Sequence, residues 1–289
     1  MRILITGKNG QVGSEFTRLS PTPADLVAVG REECDLSREQ SIRDLVRRVQ
    51  PAVIVNAAAY TAVDRAETER DLCFAINAAA PRVLAEEAAQ LDALLIHYST
   101  DYVFNGEKRE PYLETDPISP VSVYGASKAA GEAAIAEVAG RYLVLRTSWV
   151  YAAGGKNFLR TMLRLGAERS ELRVVDDQVG APTSAAAIAG ATARLLEQPS
   201  ALPAGIYHMT AGGSTSWYGF AQAIFQSGAL TTPPQVQPIP SSGYPTPARR
   251  PANSVLANDK FTHAFGFRLA SWQQQLQEVI AEMPSGAYR

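Results

Sequence analysis

The sequence predicts an α/β fold, a doubly wound parallel sheet with a smaller cap in its C-terminal part. Three observations lead there. Short apolar runs of strand length alternate with helical patterns through the first half. A glycine-rich turn joins the first strand to the first helix. The alternation then loosens into a proline-rich second half.

Segments 2–6 (RILIT), 25–30 (DLVAVG), 53–56 (VIVN), 94–98 (LLIHY) and 142–147 (YLVLRT) read as buried strands. Between them, 37–50 reads as a helix. Ser37 is its expected cap, Gln40 closes a capping box, and Glu39 faces the positive end of the helix dipole. Ile42, Leu45, Val46 and Val49 follow at helical spacing and make one apolar face. Segments 72–91 and 123–139 are Ala-rich helices, and strands alternating with such helices build a parallel sheet. Pro111, Pro117, Pro120 and Gly106 mark 101–121 as a loop, and loops this long in compact domains usually carry function. Further helices are expected at 156–167, 185–197, 216–227 and 271–283, and 229–252, with seven prolines and two adjacent arginines, reads as an irregular excursion. Residues 1–150 are thus expected to form the sheet domain and 151–289 mainly the cap, with later segments returning to the sheet.

Composition narrows the function classes. The chain of 289 residues is 46% hydrophobic and 19% charged, an ordinary globular balance. Its net charge of -2 gives no global attraction to nucleic acid or a membrane surface. No apolar run approaches the roughly 18 residues of a membrane span, and the stretch in MRILITG is too short for a signal sequence. Cys34 and Cys73 have no partner at metal-site or redox-motif spacing, which fits a reducing, cytoplasmic compartment.

Four motifs carry chemistry. Gly7-Lys8-Asn9-Gly10-Gln11-Val12-Gly13 follows the first strand and opens a helix. Gly7, Gly10 and Gly13 permit the tight turn and close packing, and the helix N-terminus at Gln11 and Val12 presents N–H groups to a pyrophosphate, as in dinucleotide-binding Rossmann-type folds. The second strand ends at Arg31, where an acidic residue would bind a ribose 2′-hydroxyl. Arg31 either pairs with a 2′-phosphate, favouring NADPH over NADH, or is a solvated surface residue; Asp35 and Leu36 are placed to flank the adenine. The run Asn56 to Thr61 sets Ala59, Tyr60 and Thr61 at a strand's carboxyl end, either against a cofactor ribose or as a packed turn. Finally, Tyr124 and Lys128 share one helix face, with Ser99, Thr100 and Asp101 at a strand end upstream. A phenol near pKa 10 needs a neighbouring ammonium to act near neutrality. Tyr124 then protonates a carbonyl oxygen as hydride arrives, Lys128 serves the phenol and the nicotinamide ribose, and Thr100 or Ser99 holds the substrate oxygen.

With these motifs the chain resembles the extended short-chain dehydrogenase/reductase superfamily, and within it the dTDP-4-dehydrorhamnose reductase family. The matching stretches are GKNGQVG (7–13), VNAAAYTAVDRAE (55–67), HYSTDYVFNG (97–106), VYGASKAAGE (123–132), RTSWVY (146–151), NFLRTML (157–163), DDQVGAPT (176–183) and YPTPARRP (244–251). The resemblance implies reduction of the 4-keto group of dTDP-4-dehydro-L-rhamnose by NADPH or NADH. It carries over Tyr124 as proton donor, Lys128 as its partner and Thr100 as the hydroxyl tuning it, and lays Thr100, Asp101 and Trp149 against the nucleotide-sugar. It also implies, for some members, a homodimer with Mg²⁺ bridged by glutamates. Glu15 matches one such position, but Ser184-Ala185-Ala186-Ala187 offers no carboxylate for a second, and Glu282 is the only candidate for a third. Mg²⁺ prefers carboxylate oxygens, so the set is incomplete.

Smaller candidates divide between function and structure. Arg249 and Arg250 fit a pyrophosphate clamp or a solvated pair, and the YPTPARRP match favours the clamp. Trp149 emerges at the carboxyl edge of the sheet, where ligands of this architecture bind. His97 on a buried strand reads as a satisfied core residue, and Trp217 and Tyr218 as core anchors; Asp176 and Asp177 suit a sugar hydroxyl or a turn equally. Two competing functions remain. One is an epimerase or dehydratase of the same superfamily, which Asp101 keeps open. The other is a non-catalytic NADP-binding regulatory subunit, against which the retained Tyr124 and Lys128 argue.

Overall fold

The structure, a computed structural model, describes residues 1–19, 25–138 and 140–283. The five expected strands form as β1 (Ile3–Thr6), β2 (Leu26–Val29), β3 (Val53–Asn56), β4 (Leu94–Thr100) and β5 (Tyr142–Thr147). The second half adds β6 (Val150–Tyr151), β7 (Glu171–Val175), β8 (Val179–Gly180), β9 (Thr183–Ser184), β10 (Gly205–His208), β11 (Thr215–Ser216) and β12 (Gln235–Ile239). Of these, β10 joins the main sheet, whose order is β2-β1-β3-β4-β5-β10 with every neighbour parallel. The order reverses between β1 and β3, and such a switch point opens a crevice beyond the strands' carboxyl ends. β10 lay outside the sequence expectation because GIYH is short and has too few branched apolar residues to announce a buried strand.

Helices cover both faces of the sheet. α1 (Gln11–Leu19) packs closely on α8 (Ala185–Leu195). Phe16, Ile188 and Ala189 meet Ile3, Val55, Ile96 and Leu145 there. On the other face lie α2 (Glu39–Val49) and α5 (Ala80–Gln90). Ile42, Leu45, Val46 and Leu84 meet Leu4, Ile54, Leu95 and Val144. α3 (Val63–Ala66) and α4 (Arg70–Phe74) precede a π-turn at Ala75–Ala79, which runs on into α5, so the expected 72–91 helix is real but underwound, and shifted in register, midway. Single π-turns within helices are frequent at functional sites. α6 (Val123–Val138) fills most of the expected 123–139 helix, and Ala139 lies outside the described residues. A buried ion pair pins it to β5, with Arg146 donating to both Glu132 oxygens at 2.9 and 2.7 Å.

The capping expectation for α2 is corrected. The helix starts at Glu39 after Arg38, without a side-chain cap. Ser37 instead donates through its hydroxyl and its amide to Asp35 Oδ1, at 2.7 and 3.0 Å, because the nearer carboxylate closes an Asx turn first.

A separate apolar cluster forms the cap. α7 (Phe158–Glu168), α9 (Trp217–Gln226) and α11 (Trp272–Glu282) bury Leu159, Leu163, Phe220, Ile224 and Leu276 with Leu172 of β7. The proline-rich excursion is more ordered than the sequence suggests. Its β12 pairs in parallel with β7, an edge where Pro238 is tolerated because no strand follows on its other side. α10 (Asp259–Phe265) then packs on β10 and ends at Gly266 in the left-handed conformation.

Candidate active site

A cleft of about 770 Å³ opens beyond the carboxyl ends of β1, β3 and β4. Gly7, Gly10, Gln11, Val12, Arg31, Asp35, Leu36, Ala59, Tyr60, Thr61, Ser99, Tyr124 and Lys128 all line it. Gly13 is the one expected cofactor residue that does not. It underlies the turn: a Cβ there would sit 2.1 Å from the Gly7 carbonyl oxygen. Gly7 itself has φ +80, and its own Cβ would meet the Ala58 amide nitrogen at 2.7 Å. The turn therefore brings backbone against the floor of the cleft, and the first-turn N–H groups of α1 have no intrahelical carbonyl to bond.

Two further features fit a dinucleotide. The buried hydroxyls of Ser99 and Thr147 line the cleft and have no hydrogen-bond partner among the described residues. Arg31 is exposed at the cleft's edge and makes no ion pair among the described residues, whereas nearby Lys8 is paired with Glu33. A cofactor held here would lay its pyrophosphate on the glycine turn and its ribose against residues 57–61.

The reactive end lies where β4 meets α6. Tyr124 is half-buried beside Tyr102, ring centroids 5.8 Å apart, and desolvation pushes its phenol above the ordinary range while the Thr100 hydroxyl draws it back. Thr100 Oγ1 donates to Asp101 Oδ1 at 2.9 Å, Asp101 Oδ2 is buried without a partner among the described residues, and burial pushes the carboxyl up to about 7. Lys128 turns its ammonium inward. Nζ bonds the Tyr98 carbonyl at 2.6 Å and His97 Nε2 at 2.9 Å rather than the phenol. Burial lowers it to about 8.

Sequence reasoning missed several contributors. Asn77, in the π-turn, accepts from the Tyr60 amide at 2.8 Å and donates to the Tyr60 carbonyl at 3.0 Å and to Ser127 at 3.0 Å. It thus staples the 57–61 turn to the helix that carries Tyr124. A lone Asn in an Ala-rich stretch gives no periodic signal, so only the fold reveals it. Asn157 donates to Gln11 Oε1 at 3.0 Å, tying the cap to the glycine turn, and Lys156 enters the cleft from the same loop.

A second cleft of about 740 Å³ is lined by Phe158, Met162, Val174, Trp217, Tyr244 and Arg250 among others; of the expected substrate residues only Arg250 lines it, while Thr100, Asp101, Trp149 and Arg249 do not. Trp149 stacks face to face on Trp217, centroids 3.5 Å apart at 2°, with φ 48, a strained conformation for a bulky residue. Arg250 donates to Asp64 Oδ2 at 3.0 Å and lies beside the Tyr102 phenol, which puts it one ring away from Tyr124. Arg249 does not join it and is exposed. Asp177 accepts from the Ser241 amide and hydroxyl, and Asp176 from the Ser216 hydroxyl, so both brace turns.

The residues do not complete a Mg²⁺ site. Arg18 donates to Glu15 Oε2 at 2.7 Å and lies 3.6 Å from Glu282, so a guanidinium already answers both carboxylates. Among the described residues no cluster of three or more His, Cys, Asp or Glu is placed to hold a metal. Among the described residues no helix is long and apolar enough to cross a membrane.

Comparison with known proteins agrees with this geometry. A family profile described as RmlD substrate binding domain matches residues 1–285. The dTDP-4-dehydrorhamnose reductase of Burkholderia thailandensis is 49% identical over 297 residues, covering 99% of this chain and all (100%) of that one. The enzyme of the same name from Escherichia coli K12 is 43% identical, covering 98% of each. Among solved structures, dTDP-4-dehydrorhamnose reductase from Bacillus anthracis in complex with NADP superposes with a TM-score of 0.91 at 36% identity, covering 98% of this chain and 99% of that one. UDP-glucose 4-epimerase from Thermus thermophilus in complex with NAD, at 22% identity and TM-score 0.80 over 97% of this chain and 98% of that one, shares the fold. A glycine turn at the switch point, Tyr124 and Lys128 on α6, and a match running almost end to end lead to one conclusion: the chain belongs to the RmlD substrate binding domain family.

Proposed function

We propose that this chain reduces the 4-keto group of dTDP-4-dehydro-L-rhamnose with NADPH or NADH, giving dTDP-L-rhamnose. The observation that carries the reading is convergence: Tyr124, Lys128 and the strand-end Ser99 meet the glycine turn in one cleft, with Thr100 beside the Tyr124 phenol. The bound dinucleotide supplies the hydride. Tyr124 supplies the proton to the carbonyl oxygen, because its phenol is kept protonated by desolvation until a charge develops beside it. Thr100 holds that oxygen and is itself fixed by Asp101. Lys128 keeps an N–H for the nicotinamide ribose. The glycine turn and the α1 N-terminus hold the pyrophosphate, and Arg31 meets a 2′-phosphate.

In this reading the division of labour falls near residue 150. Residues 1–150 hold the dinucleotide, and 151–289 hold the sugar nucleotide while lending β10 and α8 to the sheet domain. Arg250, Trp149 and Trp217 rim the route by which the dTDP-sugar reaches Tyr124, and Arg249 offers a second, outer guanidinium to its pyrophosphate. The compartment is the cytoplasm, consistent with two free buried cysteines, and a homodimer is the assembly the family likeness suggests.

The deciding experiment follows NADPH absorbance with dTDP-4-dehydro-L-rhamnose and then with the same sugar on UDP. Stoichiometric NADPH consumption with the dTDP-sugar is expected. Asp101, buried with a carboxyl pushed up to about 7, favours one second reading, acid–base work in an epimerase or dehydratase. A purified protein that retains NAD and turns sugar over without net NADPH loss would establish that alternative.

A further inference from the structure

Three polar side chains lie in a row on the sheet face beneath α6. Strand register pairs Thr6 with Asn56 and Asn56 with His97, so the three project from one face of adjacent strands. Two residues earlier the same row reads Leu4, Ile54 and Leu95, all in the apolar core. The row is continuous by hydrogen bonding. Thr6 Oγ1 donates to Asn56 Oδ1 at 2.6 Å, Asn56 Nδ2 meets His97 Nδ1 at 2.9 Å, and His97 Nε2 meets Lys128 Nζ at 2.9 Å. All four side chains are 1–2% exposed. A buried polar row this long is costly unless every atom is satisfied, so its donors and acceptors can be counted.

We propose that Thr6, Asn56 and His97 form a hydrogen-bonded rest that reverses direction with the charge of Lys128, which makes His97 a positioning residue for that lysine. The proposal rests on the reading of Lys128 as the partner of Tyr124.

The count gives two complete states. An ammonium has only donors, so His97 Nε2 must accept, which puts the imidazole proton on Nδ1. That proton needs the Asn56 oxygen, and the Asn56 amide then donates to Thr6 Oγ1. A neutral amine has a lone pair, so His97 Nε2 carries the proton and donates to it. Nδ1 then accepts from Asn56 Nδ2, and the Asn56 oxygen accepts from Thr6, which is the amide orientation observed. The states differ by one proton on Lys128, the imidazole tautomer and a half-turn of one amide. In each, every side-chain nitrogen and oxygen of the row keeps at least one partner.

The surroundings keep both states accessible. Burial and the adjacent lysine hold His97 well below the ordinary imidazole range, so it stays neutral and answers by tautomer. Lys128 is brought to about 8 by burial, opposed by Glu132 of α6 and Cys73 of α4; from β4 it faces His97 and the Tyr98 carbonyl, and Tyr124 shares its helix. In the ammonium state two N–H groups are committed to His97 and Tyr98, which leaves the third for the cleft. Loss of that proton from Nζ into the cleft, with later replacement from water, takes the row to its second state and back.

Nitrogen NMR of the imidazoles in the full-length protein tests this directly, because the chain has three histidines and His97→Gln identifies one signal. Between about pH 6 and 10 the His97 tautomer is expected to pass from Nδ1–H to Nε2–H with its midpoint at the Lys128 titration, and to stay fixed in Lys128→Met. A single tautomer throughout in the parent, or the same exchange in Lys128→Met, overturns the proposal. Asn56→Asp supplies a permanent acceptor, which holds Nδ1–H and the ammonium. It should move the limb of the kcat/KM profile near neutral-to-alkaline pH upward by about one unit or more. A folded Asn56→Asp protein with an unmoved limb also overturns it. If Lys128→Met instead keeps the parent kcat, the catalytic reading of Lys128 fails, and the tautomer measurement alone decides whether the reversing rest exists.

Discussion

The first cleft has a floor of glycine and alanine at strand ends, whereas the second cleft is lined mostly by larger side chains brought together from α7, β7, α9 and the proline-rich excursion. In the first, Gly7 and Gly10 lie within one turn and Ala57–Ala59 within another, so each small-residue group is contiguous along the chain. In the second, Phe158 and Met162 of α7, Val174 of β7, Trp217 of α9 and Arg250 of the proline-rich excursion meet only because the cap folds. A backbone-built site writes itself as short-range glycine and small-residue spacing. A site built from side chains leaves no local period.

The comparison is tested most severely at Tyr124, which lines the first cleft. Tyr124→Phe removes the phenol oxygen but keeps the ring beside Tyr102. Turnover should fall by about 10²–10⁴-fold, the usual contribution of a positioned general acid, with NADPH affinity unchanged. Steady-state kinetics with a fluorescence titration of the cofactor separates the two. Retention of rate within about tenfold would give the proton to another donor.

The next largest effect should fall on the second cleft alone. Arg250 is half-buried, fixed by Asp64 and next to Tyr102, so its guanidinium is pre-positioned. Arg250→Ala should raise KM for the dTDP-sugar by about 10- to 150-fold, the scale of a charge-assisted hydrogen bond of roughly 1.5–3 kcal/mol, and leave KM for NADPH alone. Equal changes in both constants would mean that the clefts are not separable in function.

Legibility followed the same division. The five strands of the first half, the glycine turn and the Tyr124–Lys128 pair were readable because each is a local pattern: an apolar run, a fixed spacing, or a shared helix face. β10 was not, since its burial comes from pairing with β5 and not from its own composition. Asn77 was hidden, and His97 was readable as a satisfied core residue but its partners were not. Each is a single polar residue in an apolar element, and its partners, Tyr60 and Ser127 for one and Asn56 and Lys128 for the other, are contributed by other strands and helices. The Ser37 cap failed for a smaller reason, a competing carboxylate two residues away.

A smaller effect sharpens the backbone-built side. In the proposed reading Arg31, exposed at the cleft's edge, is the side chain that meets a 2′-phosphate. Arg31→Asp removes a cation from the cleft's edge and adds an acceptor for a 2′-hydroxyl. The ratio of specificity constants for NADPH over NADH should fall by about tenfold, less than a buried pair would give because Arg31 is exposed. An unchanged ratio would place Arg31 in solvent and leave cofactor choice to the main chain.

The smallest effect expected concerns the neighbour of Arg250, where sequence treats two residues alike and structure separates them. Arg249 and Arg250 are adjacent, identical in chemistry and carried on the same irregular segment. Arg250 turns inward to Asp64, while Arg249 is exposed and forms no ion pair or side-chain hydrogen bond among the described residues. An exposed guanidinium gives back most of its attraction to water and to the entropy of its own long chain, leaving about 0–1 kcal/mol. Arg249→Ala should therefore raise KM for the dTDP-sugar by no more than about fivefold, and that change should fade at high salt, where an exposed charge is screened first. The Arg250→Ala effect, made at a half-buried site, should persist in the same salt. If the two variants respond alike in size and in salt dependence, the excursion closes around the sugar nucleotide and draws both arginines in, and the contrast between a fixed inner and a solvated outer guanidinium fails.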